Sequence, residues 1–92
     1  MYVKSAELAF RIHYATSLKD KRSVCRSLID KVRQRFNVSI AEVATQDSHQ
    51  ILTIGVAVVS GNADHAQRSL DEVIRFIEEN TDAELFDVSN CY

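Results

Sequence analysis

The sequence predicts an α+β fold in which two helices lie on one face of a four-stranded antiparallel sheet. Two observations carry this prediction. Four segments have the alternation or the β-branched composition of strands. Two further segments repeat apolar residues every three or four positions, as amphipathic helices do. The order along the 92 residues is strand, helix, strand, strand, helix, strand.

The first half of the chain alternates in polarity and then changes period. Residues 2–14 alternate, which predicts a half-buried strand. The side expected to face the core carries Ala6, Leu8, Phe10 and Ile12. Residues 17–36 have helical spacing, and Ser17 followed three residues later by Asp20 matches a capping box.

The second half supplies the remaining elements. Residues 38–43 are a short predicted strand, and residues 44–50 are polar and turn-like. Residues 51–60 are rich in β-branched side chains and apolar on both faces, which predicts a central strand. Residues 63–80 form the second predicted helix, with Asn62 as its N-cap. Residues 83–92 are the last strand, whose buried face the pattern leaves open.

Right-handed crossovers between these elements give the ferredoxin-like split βαβ arrangement, as a single domain over residues 1–92. This topology brings the end of the first strand, the start of the first helix and the predicted hairpin to one edge of the molecule. The fold serves many functions and does not choose among them.

Composition is that of an ordinary soluble protein, with 46% hydrophobic and 26% charged residues. No apolar run approaches the roughly 20 residues that span a membrane. No pattern of a signal peptide is seen, so we expect a cytoplasmic protein. Two cysteines, Cys25 and Cys91, are too few for a disulfide framework and are expected to be reduced structural thiols.

Charge is strongly segregated, although the net charge is only −2. Segment 17–36 carries seven Lys and Arg against two Asp, whereas the rest carries four basic and eleven acidic residues. On a helical projection, four of these cations fall within an arc of about 60°, a stripe roughly 21 Å long. We call this stripe the basic ridge; it consists of Lys19, Arg22, Arg26 and Arg33. Lys21 and Arg35 project toward the apolar arc, where they are expected to snorkel.

Asp30 is spaced to form local ion pairs with Arg26 and Arg33, so a merely solvated helix face is the alternative interpretation of the ridge. If the ridge is functional, its length suits several phosphates of a nucleic-acid backbone.

Other chemistries find little support. No zinc-binding spacing is present, so no metal and no cofactor are predicted. No activated nucleophile with an adjacent base is recognisable, so no catalytic residue is assigned. The open face of the third predicted strand carries Thr53, Gly55, Ala57 and Val59, without the aromatic residues that stack RNA bases. This face suits self-association better, and Gly55 indicates a bulge or a close approach of another group.

Three stretches resemble the YlxP-like family, a small bacterial family of poorly defined function. They are SLKDKRSV at 17–24, RFNVSIAEV at 35–43 and GVAVVS at 55–60. The resemblance implies a ferredoxin-like fold and gene neighbourhoods shared with ribosome-maturation factors, hence an RNA or ribosome role. It implies no established catalytic residues. Two departures are the hairpin ATQDSHQ, which lacks an aromatic residue, and the polar start MYVKSAEL.

The leading hypothesis is a non-enzymatic accessory factor that contacts structured, ribosomal RNA. The residues expected to contact phosphate are Lys19, Lys21, Arg22, Arg26 and Arg33, with Arg11, His13 and His49 as accessory neighbours. A homodimeric protein-interaction module without RNA binding is the first alternative, in which the basic helix docks on an acidic surface. A small phospho-ligand site at the N-terminus of the first helix is the second.

Overall fold

The computed structural model describes residues 1–90 and has the predicted order of elements. The strands are β1 (Tyr2–Arg11), β2 (Ser39–Ala44), β3 (Ile51–Ser60) and β4 (Glu84–Asn90), and the helices are α1 (Leu18–Arg35) and α2 (Ala63–Glu79). The sheet order is β2-β3-β1-β4, with every neighbouring pair antiparallel. The ferredoxin-like prediction is therefore confirmed. The predicted continuation of the last strand through Cys91 and Tyr92 lies outside the described residues.

The alternation of β1 sorts its side chains as predicted. Ala6, Leu8 and Phe10 are at most 1% exposed and face the helices, as does Ile12 just beyond the strand. Fully burying a large apolar side chain stabilises the fold by about 1.5–3 kcal/mol. The strand ends at Arg11 rather than residue 14 because the chain turns there, and the Ala15 amide donates to the Ile12 carbonyl at 3.2 Å.

The N-terminus of α1 is closed by its own side chains. The Ser17 hydroxyl accepts a hydrogen bond from the Asp20 amide at 3.1 Å, which confirms the cap. The Asp20 carboxylate reaches back to the amide and hydroxyl of Thr16, at 3.0 and 2.8 Å. These hydrogen bonds, with Thr16 the main contributor, lower the pKa of Asp20.

Asp20→Asn is expected to reduce stability at pH 7 and to flatten the acid limb of the stability curve. A carboxylate whose pKa is lowered in the folded state stabilises above its unfolded pKa of about 3.9 and loses that contribution as the pH falls through its folded pKa. Denaturant midpoints of the two proteins between pH 2 and 7 check this. Curves that stay parallel below pH 4 would contradict it.

Helix α2 packs the other half of the core. The Asn62 side chain accepts from the His65 amide at 2.9 Å, which confirms the predicted N-cap. Its buried stripe consists of Ala66, Leu70, Val73 and Ile77. Near its C-terminal end, the Arg35 guanidinium lies 5.3 Å from the centre of the Phe76 ring, so Arg35 packs along apolar surface as predicted.

Strand β3 is central, and Gly55 is required there by a close contact. The neighbouring strand β2 has a bulge between Glu42 and Ala44, which leaves Val43 as the extra residue. A Cβ atom on Gly55 would lie only 2.7 Å from a methyl carbon of Val43. Both features that the sequence suggested, the bulge and the close approach, therefore occur together, with the bulge on the partner strand.

The buried face of β4 is also resolved. Leu85 is half-buried and packs against the core, opposite Phe10. A register shift between Ala9 and Phe10 leaves Phe86 as the extra residue of β4. The Arg11 guanidinium lies 5.4 Å from the centre of the Phe86 ring, which places that ring on the sheet face away from the helices.

Candidate nucleic-acid interface

The start of α1 and the β2–β3 hairpin meet at one edge of the molecule, as the topology predicts. The Lys21 ammonium joins them by donating to the carbonyls of Thr45 at 2.6 Å and Ile51 at 3.2 Å. A longer contact of 3.4 Å reaches the Gln46 carbonyl. The hairpin is thus fastened to the helix through the backbone of its loop.

Lys21 is the most deeply buried charged residue of the described chain, with 1% of its surface exposed. Its ammonium also lies 3.1 Å from the Glu42 carboxylate, whose side chain is 19% exposed. Three N–H donors are available on a lysine, and three carbonyls face them here. The carboxylate oxygen beside the ammonium therefore supplies charge compensation, and it accepts no hydrogen bond from residues 1–90.

This position corrects the prediction that Lys21 contacts phosphate. The projection placed it beside the apolar arc, from which snorkelling to solvent was expected. Instead the ammonium points inward, because carbonyls and a carboxylate converge on it there. Lys21 is a structural cross-link between α1 and the hairpin, and it is not one of the residues of the candidate interface.

Glu42 is the residue that sequence reasoning missed. It alternates with buried Ile40, so β2 directs a carboxylate toward the helix layer. A carboxylate on the core-facing side of a strand is costly to bury unless it is paired. Together with a lysine on the apolar flank of α1, that alternation was the available signal.

The hairpin has one unusual backbone angle, at the residue whose carbonyl accepts the shortest hydrogen bond from Lys21. Thr45 has φ of 62°, a conformation that β-branched residues rarely adopt. Its hydroxyl interacts with the Ala44 carbonyl at 2.6 Å and the Thr53 hydroxyl at 3.1 Å. These contacts and the Lys21 hydrogen bond hold the residue in the left-handed region.

The outer face of α1 presents most of the basic ridge to solvent. Lys19, Arg22 and Arg26 are exposed there, and Lys31 lies on the same surface. No carboxylate among residues 1–90 forms an ion pair with Arg22, Arg26 or Arg33, so the local pairs expected with Asp30 do not form. The cations of this face therefore keep their charge uncompensated by close contacts.

Arg33 takes a different position within the ridge. Its guanidinium donates to the Ile40 carbonyl at 3.2 Å and so bridges α1 to the edge strand β2. Arg22, Arg26 and Arg33 line a shallow groove between that helix and that strand. Arg33 remains exposed, with further N–H groups for a second partner.

The three accessory residues are placed apart from one another. Arg11 lies on the open sheet face against Phe86. His13 Nε2 lies 3.0 Å from Glu84 Oε1, so its ring is engaged with β4. His49 is exposed in the β2–β3 loop. The structure thus does not gather them into a single extension of the ridge.

The helix N-terminus is a poor site for a small anion. Asp20 already places a carboxylate at the first turn. Lys21, which the phospho-ligand hypothesis used, is turned into the core. Both observations count against that alternative.

Cys25 is buried on the core side of α1, with 7% of its surface exposed. Burial, followed by the Glu42 charge, raises the pKa of this thiol. We therefore expect Cys25 to react with a thiol reagent at pH 7.5 far more slowly in the folded protein than in denaturant. Mass-spectrometric peptide mapping follows Cys25 separately from Cys91. Equal rates in the two states would contradict this expectation.

Residues 1–90, which the structure describes, lack two features. Neither helix has the length and apolar composition needed to cross a bilayer. No cluster of three or more metal-ligating side chains was found in that part of the chain.

Comparison with known proteins gives the family. Residues 3–90 match the model of a family described as "Protein of unknown function (DUF503)". The chain belongs to the DUF503 family. A relative of this DUF503 protein, "Uncharacterized protein YlxP" from Bacillus subtilis (strain 168), is 38% identical over 73 residues, covering 79% of each chain. The predicted YlxP-like resemblance is therefore confirmed, and neither description assigns an activity.

Proposed function

We propose that this DUF503 protein is a cytoplasmic, non-enzymatic accessory factor that contacts structured RNA through the exposed face of α1. Ribosomal RNA is the expected target, on the strength of the gene neighbourhoods that the family resemblance implies. The contacting side chains are Lys19, Arg22, Arg26 and Arg33.

The observation that carries the proposal is the exposed, uncompensated charge of α1 on an otherwise acidic molecule. Arg22 and Arg26 lie one helical turn apart and make no ion pair among residues 1–90. Outside segment 17–36 the chain has seven more acidic than basic residues. Such segregation concentrates a positive potential on one side and orients the protein toward a polyanion.

The kind of RNA follows from what the α1 face lacks. The surface around Arg22 and Arg26 carries serine, glutamine and charged side chains, with no aromatic ring on which a base could stack. Cations on a helix suit the phosphates of a folded RNA, and phosphate contacts position a protein without reading sequence. We therefore expect recognition of shape rather than of base identity.

The test is co-sedimentation of the purified protein with ribosomal subunits at low and high salt. The proposal predicts co-sedimentation at about 50 mM KCl and release at higher salt. Four phosphate contacts would weaken binding by roughly 50–150-fold between 50 and 200 mM. Absence of binding at low salt would overturn the ribosomal target. A self-association that salt disrupts, without affinity for RNA, would instead support the protein-interaction alternative.

A further inference from the structure

The sheet face away from the helices carries a set of exposed apolar side chains. Val3 and Val59 are adjacent on β1 and β3, at 45% and 63% exposure. Val43 and Phe86 lie on the two edge strands, at 46% and 49%. Because both helices pack on the opposite face, no helix of residues 1–90 covers these four residues, and the Arg11 guanidinium lies beside the Phe86 ring.

The middle of this face is flat. Along β3 it presents Gly55 and Ala57, opposite Glu7 and Ser5 of β1. Val43 folds over Gly55, so the bulge fills the position that a side chain there would take. Apart from the exposed Glu7, the central side chains are small, which allows a second sheet to approach at the usual distance of about 10 Å.

The arrangement of the apolar residues is self-complementary about one axis. Consider a two-fold axis that runs parallel to the strands, between β1 and β3. It places β1 of one copy over β3 of the other, and β2 over β4. Val3 then meets Val59 of the second copy, since these residues are partners in the β1–β3 register.

The same axis also matches the edge strands. Val43 is the extra residue of β2 beside the pairs that β2 makes with Ile54 and Thr53. Phe86 is the extra residue of β4 beside the pairs that β4 makes with Ala9 and Phe10. Because Ala9 pairs with Thr53, the two bulged residues lie at nearly the same level of the sheet. Rotation about the axis therefore brings Val43 over Phe86 of the second copy, and the reverse.

The available area is close to what a weak dimer needs. Strands of 10, 6, 10 and 7 residues cover about 500 Å² per copy at roughly 3.3 by 4.8 Å per residue. Two stacked faces would bury about 1,000 Å², near the lower end for a biological interface. We propose that the open sheet face binds a second copy of this chain, through two Val3–Val59 contacts and two Val43–Phe86 contacts related by this axis.

The first test is sedimentation velocity of the RNA-free protein from about 5 μM to 1 mM. The proposal predicts a monomer–dimer equilibrium that Val59→Lys shifts toward monomer by about tenfold or more, with little dependence on salt. Val88→Lys is the matched control, because this valine is 41% exposed but faces the helix side, opposite Leu8. A wild-type protein that stays monomeric at 1 mM, or a dimer that Val59→Lys leaves unchanged, would overturn the proposal.

The second test separates this axis from other sheet packings. Val43→Lys and Phe86→Glu should each weaken the dimer, and an equimolar mixture should form a heterodimer with one Lys–Glu contact. Each variant carries only one of the two new charges, so the Lys–Glu contact can form only between copies. The Arg11 guanidinium of the same chain lies beside position 86 in both the homodimer and the heterodimer, so it does not account for a difference between them. Failure of the mixture to associate more than either variant alone would contradict the proposed axis. Since no RNA is present, neither outcome depends on the function proposed for α1.

Discussion

Replacing Lys21 with methionine is expected to lower the free energy of unfolding by about 3–5 kcal/mol. The reason is that the variant leaves the half-buried Glu42 carboxylate without its counter-ion. It also removes the donor that satisfies the carbonyls of Thr45 and Ile51. Chemical denaturation followed by circular dichroism measures the change.

Two further variants distinguish the cross-link from a general loss of positive charge. Lys19→Met removes the same charge from an exposed position two residues earlier and should change stability by no more than about 0.5 kcal/mol. Lys21→Met combined with Glu42→Met should recover part of the loss, because the unpaired carboxylate is then absent. Equal effects of Lys19→Met and Lys21→Met would contradict the structural role assigned to Lys21.

Reversing two charges of the ridge, Arg22→Glu with Arg26→Glu, is expected to abolish measurable RNA binding at 100 mM salt. Two phosphate contacts are lost and two repulsive charges are added on the face that approaches the RNA. Both side chains are exposed, so the fold should survive with an unchanged circular dichroism spectrum. Fluorescence anisotropy with a structured ribosomal RNA fragment measures the affinity.

The control for this experiment lies on the other helix. Arg68→Glu with Arg75→Glu changes the net charge by the same amount, at exposed positions of α2. If only total charge mattered, the two double variants would lose equal affinity. The α1 interface predicts that the α2 variant loses much less, and equal losses would argue against a defined interface on α1.

Hydrophobic period was sufficient to predict most of the fold. The alternation over residues 2–14 identified the buried side of β1, and Ser17 and Asn62 identified both helix N-caps. The end of β1 was predicted too late because alternation of polarity does not show where a chain turns. The Ala15 amide bonds to the Ile12 carbonyl in a turn that directly follows β1.

The candidate site was only partly predictable from the sequence. A helical projection gives the direction in which a side chain leaves the helix, and this was enough to expect exposed Arg22 and Arg26. It says nothing of the groups that face a residue from another element. Lys21 was misplaced because its counter-ion, Glu42, and its carbonyl acceptors, in Thr45 and Ile51, are brought to it only by the tertiary arrangement.

The central claim, that exposed cations of α1 contact RNA phosphates, is tested most directly by the slope of log affinity against log salt. Four contacts predict a slope of roughly −3 to −3.5 for the wild-type protein. Neutralising two of them in Arg22→Gln with Arg26→Gln should move that slope toward zero by about 1.5–2, while the matched Arg68→Gln with Arg75→Gln leaves it unchanged. The contradictory result would be a wild-type slope near zero, or one that the α1 variant does not alter.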